Sequence, residues 1–282
     1  MPTPKSNVAF TLFGLDIMWY GLLIASGMMI ALLIAYKRAP KHGLDPEKIY
    51  DIGLYCLPTA VIGARWWYVL FHWDYYAWDL MKIINIRQGG LAIHGGLLFG
   101  IGMGIYLCKR WKWNPLNGVD MAVPGIALAQ SIGRWGNYFN QEAHGGPTDL
   151  PWAIEVGGEM VHPTFLYESI WCFLLFFVLL YIDNRRQFHG QTCLSYGVLY
   201  SIERFFVEGL RTDSLMIGPF RTAQVVSITL IVVCSIAYVI LKKRSRYNAG
   251  LQKKEGDRTD PGIVVLFQCH GSVCSAGWGC TG

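Results

Sequence analysis

The chain has 282 residues, of which 53% are hydrophobic, 14% aromatic and only 15% charged, with a formal net charge of +5. Soluble domains carry about 25% charged residues, so the composition excludes an ordinary soluble domain and points to a polytopic membrane protein. The basic excess does not signal nucleic acid, because the lysines and arginines sit in short groups beside apolar runs, where membrane orientation accounts for them.

A bilayer core takes about 20 apolar residues of helix, and such runs recur as far as Leu241. The first sixteen residues lack the basic region and cleavage site of a removable signal peptide. The first apolar segment, residues 17–36, is therefore expected to stay as a span that ends at Lys37, Arg38 and Lys41. The second covers residues 49–71 and carries Arg65. An aromatic stretch follows, with Trp73, Tyr75, Tyr76 and Trp78 interleaved with Asp74, Asp79 and Lys82, which predicts an interfacial arm helix. The third span opens at Gln88-Gly89-Gly90-Leu91-Ala92-Ile93-His94-Gly95-Gly96-Leu97 and ends at Lys109, Arg110 and Lys112.

The fourth span is short, residues 119–132, and leads into Gly133-Arg134-Trp135-Gly136-Asn137-Tyr138-Phe139-Asn140-Gln141-Glu142-Ala143-His144-Gly145. Glycines permit sharp turns and close approach, and an arginine offers a planar fork of donors to a phosphate or carboxylate. The alternative is a helix end that leaves the bilayer and caps itself. An outer loop at 141–163 has no lysine or arginine between residues 141 and 161. The fifth span begins at His162-Pro163-Thr164-Phe165-Leu166-Tyr167-Glu168 and ends at Arg185 and Arg186; the sixth covers residues 191–207 and the seventh 222–241, before Lys242, Lys243, Arg244 and Arg246.

Retaining every basic cluster in the cytoplasm gives an all-α fold of seven transmembrane helices, with the N-terminus outside and the C-terminus inside. Residues 1–247 form this membrane domain. Residues 248–282 are expected to be disordered or left from an expression vector, since Val265-Leu266-Phe267-Gln268 resembles part of a protease site used there. Cys56, Cys108, Cys172, Cys193 and Cys234 lie in apolar runs without CxxC pairing and are expected as small buried hydrophobes.

An ionisable side chain at bilayer depth costs roughly 2.5 to 3.5 kcal/mol on insertion scales, so several together need a common reason. With alternating span direction, Tyr20, Arg65, His94, Arg134, Glu168 and Arg204 all fall toward the outer ends of six helices. Tyr200, Arg204, Glu208 and Arg211 follow i, i+4, i+8 and i+11, which keeps them on one face at about 100° per residue. Such arginines would line an outer-leaflet cavity and hold the phosphate of an anionic phospholipid. Blander roles stand beside this one: Arg204 and Glu208 as a buried pair, His94 as a structural histidine, Asn140 and Glu142 as caps, Tyr20 as an interface aromatic, and Glu168 as a carboxylate at a helix N-terminus. The histidines are scattered, and no GxSxG turn or P-loop is present. A nucleophile would have to come from a substrate.

These residues resemble the bacterial prolipoprotein diacylglyceryl transferases. The family's Gly-Arg-x-Gly-Asn-Phe-x-Asn-x-Glu-x-x-Gly is met at residues 133–145 with Tyr138 in the phenylalanine place, and its His-Gly-Gly-Leu at residues 94–97. Its Trp-Tyr-Gly is met at residues 19–21, its Pro-Ser-x-Leu-Tyr-Glu at 163–168 with Thr164 for serine, and its Tyr-x-x-x-Arg-x-x-x-Glu at 200–208. The resemblance covers residues 10 to 245 and implies a multi-pass enzyme of the bacterial cytoplasmic membrane. It would move the diacylglyceryl group of phosphatidylglycerol to the lipobox cysteine of a preprolipoprotein signal peptide, giving a thioether and glycerol phosphate with no metal or cofactor. His94 is then the candidate base or a positioning group, and Arg134 and Arg204 the catalytic holders of the departing phosphate. Tyr20, Arg65, Asn137, Asn140, Glu142, Tyr200, Glu208 and Arg211 are the candidate substrate-binding residues. An outer-leaflet lipid or anion transporter is the alternative; it predicts polar inner halves, whereas the sequence shows few such residues apart from Asp120 and the boundary charges.

Overall fold

The structure is a computed structural model that describes residue 4 and residues 6–77, 79–86, 89–212 and 214–258. Trp78 of the expected arm, Gln88 and residues 259–282 of the expected tail lie outside the described residues. An antiparallel hairpin of β1 (Val8–Leu12) and β2 (Leu15–Met18) leads directly into α1 (Trp19–Arg38). After a 3-10 turn at Ala39–His42 come α2 (Lys48–Phe71), the short α3 (Trp73–Tyr76) and α4 (Leu80–Ile84), α5 (Ile93–Arg110) and α6 (Pro115–Asn140). A second hairpin, β3 (Ile154–Val156) and β4 (Glu159–Val161), precedes α7 (Thr164–Asn184) and α8 (Gln191–Leu210). A third, β5 (Met216–Ile217) and β6 (Phe220–Arg221), opens α9 (Thr222–Arg258).

By length and composition, four helical stretches are apolar enough to cross a membrane: Trp19–His42, Lys48–Phe71, Thr164–Asn184 and Thr222–Gly250. The other long helices, α5, α6 and α8, fall short because they carry glycines, amides and charges. Their outer neighbours are covered with exposed Leu, Ile and Phe, such as Leu33, Ile62, Phe173 and Ile236.

Helices without a water-driven hydrophobic force between them associate through close backbone contact at small residues. The α1–α6 pair is antiparallel and packs this way. A Cβ on Gly27 would lie 3.0 Å from the Ala129 carbonyl oxygen, and one on Gly125 would lie 2.9 Å from that of Ala31. The α2–α5 pair is tighter still, with a Cβ on Gly63 only 2.4 Å from Phe99 and one on Gly95 only 2.3 Å from the Gly63 carbonyl.

Several expectations are corrected here. The fourth helix does not stop at residue 132; α6 runs on to Asn140, so most of the signature is helical, and the chain turns only at Gln141, with φ of 53°. Gly136 is there for packing, since a Cβ on it would meet the Tyr20 ring at 2.6 Å. The arm is two short helical segments instead of one, with the Asp79 carboxylate accepting from the Lys82 amide at 3.1 Å at the start of α4. That backbone bond holds Asp79 below the usual carboxylate range. The outer loop contains the β3–β4 hairpin, and the N-terminal hairpin was absent from the sequence reading. At the other end α9 continues to Arg258, so residues 248–258 are helical.

Candidate active site

Three helices meet at one carboxylate. Glu168, in the second turn of α7, is only 1% exposed, and its Oε1 lies 3.1 Å from Arg134 Nη2 of α6 and 3.0 Å from Arg204 Nη1 of α8. Arg204 Nη2 also reaches Glu208 Oε2 at 2.7 Å, one turn further along α8. Arg134 Nη2 donates to the Tyr200 hydroxyl at 3.2 Å. The i, i+4 spacing therefore does place Tyr200, Arg204 and Glu208 on one face, and Arg134 enters from α6.

Polar bolts below this level fix the three helices. Ser131 and Ser169 each donate to the other's carbonyl, at 2.8 and 2.9 Å, and Trp135 Nε1 donates to Ser169 Oγ at 3.1 Å. Tyr196 donates its hydroxyl to Gln130 at 2.8 Å. The apolar cluster of Val123, Ala127, Leu175 and Leu179 lies deeper along the same contact. The guanidiniums are thus set by packing rather than left to search.

The ion cluster is incomplete. Both guanidinium side chains remain 22% exposed, and among the described residues Arg134 Nε and Nη1 have no partner. Glu168 Oε2 is buried without a hydrogen-bond donor, as are both carboxyl oxygens of Glu203 on α8. Beside Arg204 opens a cavity of about 400 Å³, to which His94 contributes from α5, Glu208 and Tyr200 from α8, and Arg211 from just beyond it. His94 is solvent-exposed at this rim.

Other expected site residues stand apart. Asn137 and Asn140 donate to the same oxygen of Glu142, at 3.1 and 3.2 Å, in a group of their own at the α6 C-terminus. Tyr20 is 40% exposed and lies over Gly136. Arg65 is not brought to the cluster. Its guanidinium donates to the carbonyls of Lys82, Ile83, Asn85, Gly89 and Gly90 at 2.6 to 3.1 Å, and its Cζ lies 4.9 Å from the centre of the Tyr76 ring. Arg65 thereby ties down the arm segment.

The sequence reading put Glu168 at the level of the arginines without pairing it to them, and it gave no role to Glu203 or Arg221. Glu168 looked like a carboxylate at a helix start because its two cationic partners come from other helices. Glu203 lies off the Tyr200 face, so spacing leaves it out, although a carboxyl at that depth is itself a signal. Arg221 Nη1 donates to the carbonyls of Glu208 and Arg211 and to Ser214 Oγ, pinning the β5–β6 segment to the end of α8. Its only sequence signal is an arginine at the mouth of an apolar helix.

The opposite end holds a second ionic cluster. Arg38 Nη2 lies 2.7 Å from Asp183 Oδ2, His42 Nε2 3.2 Å from the same oxygen, and Thr192 donates to Asp183 Oδ1 at 3.2 Å. Asp120 accepts from the Gly190 and Cys193 amides at 2.6 and 2.8 Å, serving the start of α8, and Arg186 donates to Asn117 at 2.5 Å. This end was expected to be nearly apolar apart from Asp120 and the boundary charges, and those residues are the ones that form the cluster. The five span cysteines are free thiols, with Cys108 and Cys172 buried and Cys56, Cys193 and Cys234 partly so.

The sequence matches the family described as prolipoprotein diacylglyceryl transferase over residues 7–240. It is 52% identical over 242 residues to the phosphatidylglycerol--prolipoprotein diacylglyceryl transferase of Clostridioides difficile (strain 630), covering 86% of this chain and 98% of that one. The protein of the same name from Finegoldia magna is 50% identical over 239 residues, 84% of this chain and 96% of its own. The one from Bacillus anthracis (strain CDC 684 / NRRL 3495) is 43% identical over 255 residues, with 84% and 92% covered.

Proposed function

The chain belongs to the prolipoprotein diacylglyceryl transferase family, and from that membership we propose that it transfers the diacylglyceryl group of phosphatidylglycerol to the lipobox cysteine thiol of preprolipoproteins. The observation that carries the reading at the level of residues is the meeting of Arg134 and Arg204, from two helices, on Glu168, with Arg204 lining an open cavity.

In the reaction the sulfur to carbon bond forms as the bond from the same carbon to the phosphate oxygen breaks. The thiolate is the competent nucleophile, so the thiol proton must leave, and His94 at the cavity rim is the group placed to take it or to orient the peptide. Negative charge grows on the departing glycerol phosphate. Arg134 and Arg204 hold that charge through donors that Glu168 does not occupy, and because they are already positioned, little reorganisation is needed as the bond breaks. Glu168 shares its Oε1 between them and holds both in place. Tyr200 accepts from Arg134, Glu208 pairs with Arg204, Arg211 lines the cavity, and Asn137, Asn140 and Glu142 form their own group at the end of α6, with Tyr20 over Gly136. Arg65 serves the site indirectly, through the arm.

In this reading all seven long helices span the bacterial cytoplasmic membrane, with the cavity toward the outer leaflet. The basic groups around Lys37, Lys109, Arg185 and Lys242 lie at the opposite helix ends, and the loop from 141 to 161 has none. Alternating access would require the closed Arg38–Asp183 cluster to open, which disfavours a transporter. The test is incubation of the full chain with phosphatidylglycerol and a lipobox peptide, without added metal or nucleotide. The peptide gains the mass of a diacylglyceryl group; an unmodified peptide under conditions where a relative is active contradicts the proposal.

A further inference from the structure

The two ends of the cavity beside Arg204 differ in lining. Its α9 wall is built from positions 222, 223, 226, 227 and 230, which share one helical face and span about 12 Å at 1.5 Å per residue. Two contacts fix the register against α8. Gln224 Nε2 donates to the Phe205 carbonyl at 3.2 Å, and a Cβ on Gly197 would meet Cys234 Sγ at 2.7 Å. The helices are therefore antiparallel, with Thr222 near the level of Glu208, Ser227 near that of Ser201 and Arg204, and Leu230 near that of Tyr200.

Ser214 and Thr222 line the Glu208 end beside Leu215 and Ala223, Ser227 and Ser201 lie midway, and Val226 and Leu230 give the deeper end its aliphatic surface beside Tyr200. A diacylated glycerol places its chains against the aliphatic Val226 and Leu230 at the deeper end. Its phosphate then lies at Arg204, and whatever is esterified to the far side of that phosphate reaches Ser214 and Thr222. Resting on the transferase reading above, we propose that Ser214 and Thr222 form the subsite for the departing headgroup and select a neutral polyol there.

Hydroxyls suit a polyol because each both donates and accepts. Ser214 Oγ lies 3.4 Å from Arg221 Nη1, which donates to it and leaves the serine proton for a ligand. Arg221 also grips the Glu208 and Arg211 carbonyls, so Ser214 sits on a stapled segment and its hydroxyl is held in place. The Arg221 guanidinium, which bonds neutral carbonyls and a hydroxyl, adds positive charge at this level, which opposes a headgroup ending in an ammonium.

The test compares two inhibitors of peptide modification by the full chain, glycerol 1-phosphate and inorganic phosphate. Two hydroxyl contacts at ordinary hydrogen-bond strength make glycerol phosphate about tenfold the more effective. In the double variant Ser214→Ala with Thr222→Val this preference falls to about twofold or less, the KM for phosphatidylglycerol rises, and inhibition by inorganic phosphate is unchanged. Retention of the tenfold preference in the double variant overturns the proposal. The companion pair Ser214→Thr with Thr222→Ser keeps both hydroxyls and the preference; loss of turnover in both pairs also counts against it. Failure of either compound to inhibit the unaltered chain strikes the arginine reading itself.

Discussion

The protein carries two buried ionic clusters of similar make-up at opposite ends of the same helices. Around Asp183 and Asp120 every carboxylate oxygen has a donor, drawn from Arg38, His42, Thr192, Arg186 and two backbone amides. Around Glu168 the two guanidiniums are partly exposed, one carboxyl oxygen has no donor, and a cavity opens beside them. The first arrangement supplies each of its carboxylate oxygens with a donor and joins α1, α6, α7 and α8. The second keeps donors in hand beside space for a ligand. Incomplete satisfaction in a low-dielectric setting is expensive, which supports the proposal that the open cluster is the one that meets a ligand.

That contrast can be broken from either side. The largest effect is expected at the closed cluster: Asp183→Ala leaves Arg38 and His42 without their shared acceptor and should cost about 3–5 kcal/mol of stability. Thermal unfolding in detergent measures this, and the modification rate per folded molecule should remain close to that of the unaltered chain. In the open cluster Glu168→Gln keeps the shape but removes the charge shared by Arg134 and Arg204. Peptide modification should slow by roughly ten- to a hundredfold, about 1.4 to 2.7 kcal/mol of barrier, and the cluster would be merely structural if the rate held while the protein melted early.

A smaller effect is expected where no charge is involved. Gly63→Ala drives a methyl group into Phe99 and the Gly95 carbonyl, and overpacking of this kind costs about 1–3 kcal/mol. It should lower the melting temperature and, by shifting α5, raise the KM through displacement of His94. Replacing all five span cysteines with alanine should change turnover by about twofold at most, since the nucleophile comes from the peptide. Loss of chemistry in that folded variant would point to a covalent enzyme intermediate.

Much of the helical framework was legible because apolar runs and their basic ends report membrane physics residue by residue. The end of α6 was not, since Gly133 and Gly136 signal a turn in isolation and show their packing role only against Ile24 and Tyr20. Within the site, Tyr200, Arg204 and Glu208 were legible through spacing on a single helix, and Arg134 through its setting in the signature. The pairing of Glu168 with both arginines and the contacts of Arg221 were not, because the partners lie on other helices or on backbone carbonyls, and no periodicity crosses between helices. Arg65 misled for the same reason: depth in the sequence placed it with the other arginines, while the fold turned its donors to the arm.

The central claim is that Arg134 and Arg204 together hold one departing phosphate. The direct measurement is the modification rate of a lipobox peptide with phosphatidylglycerol for Arg134→Ala, Arg204→Ala and the double variant, each confirmed as folded. The account predicts a loss of about a hundredfold or more in each single variant and little further loss in the double, since both act on the same group. Near-normal rates in the two single variants would contradict it.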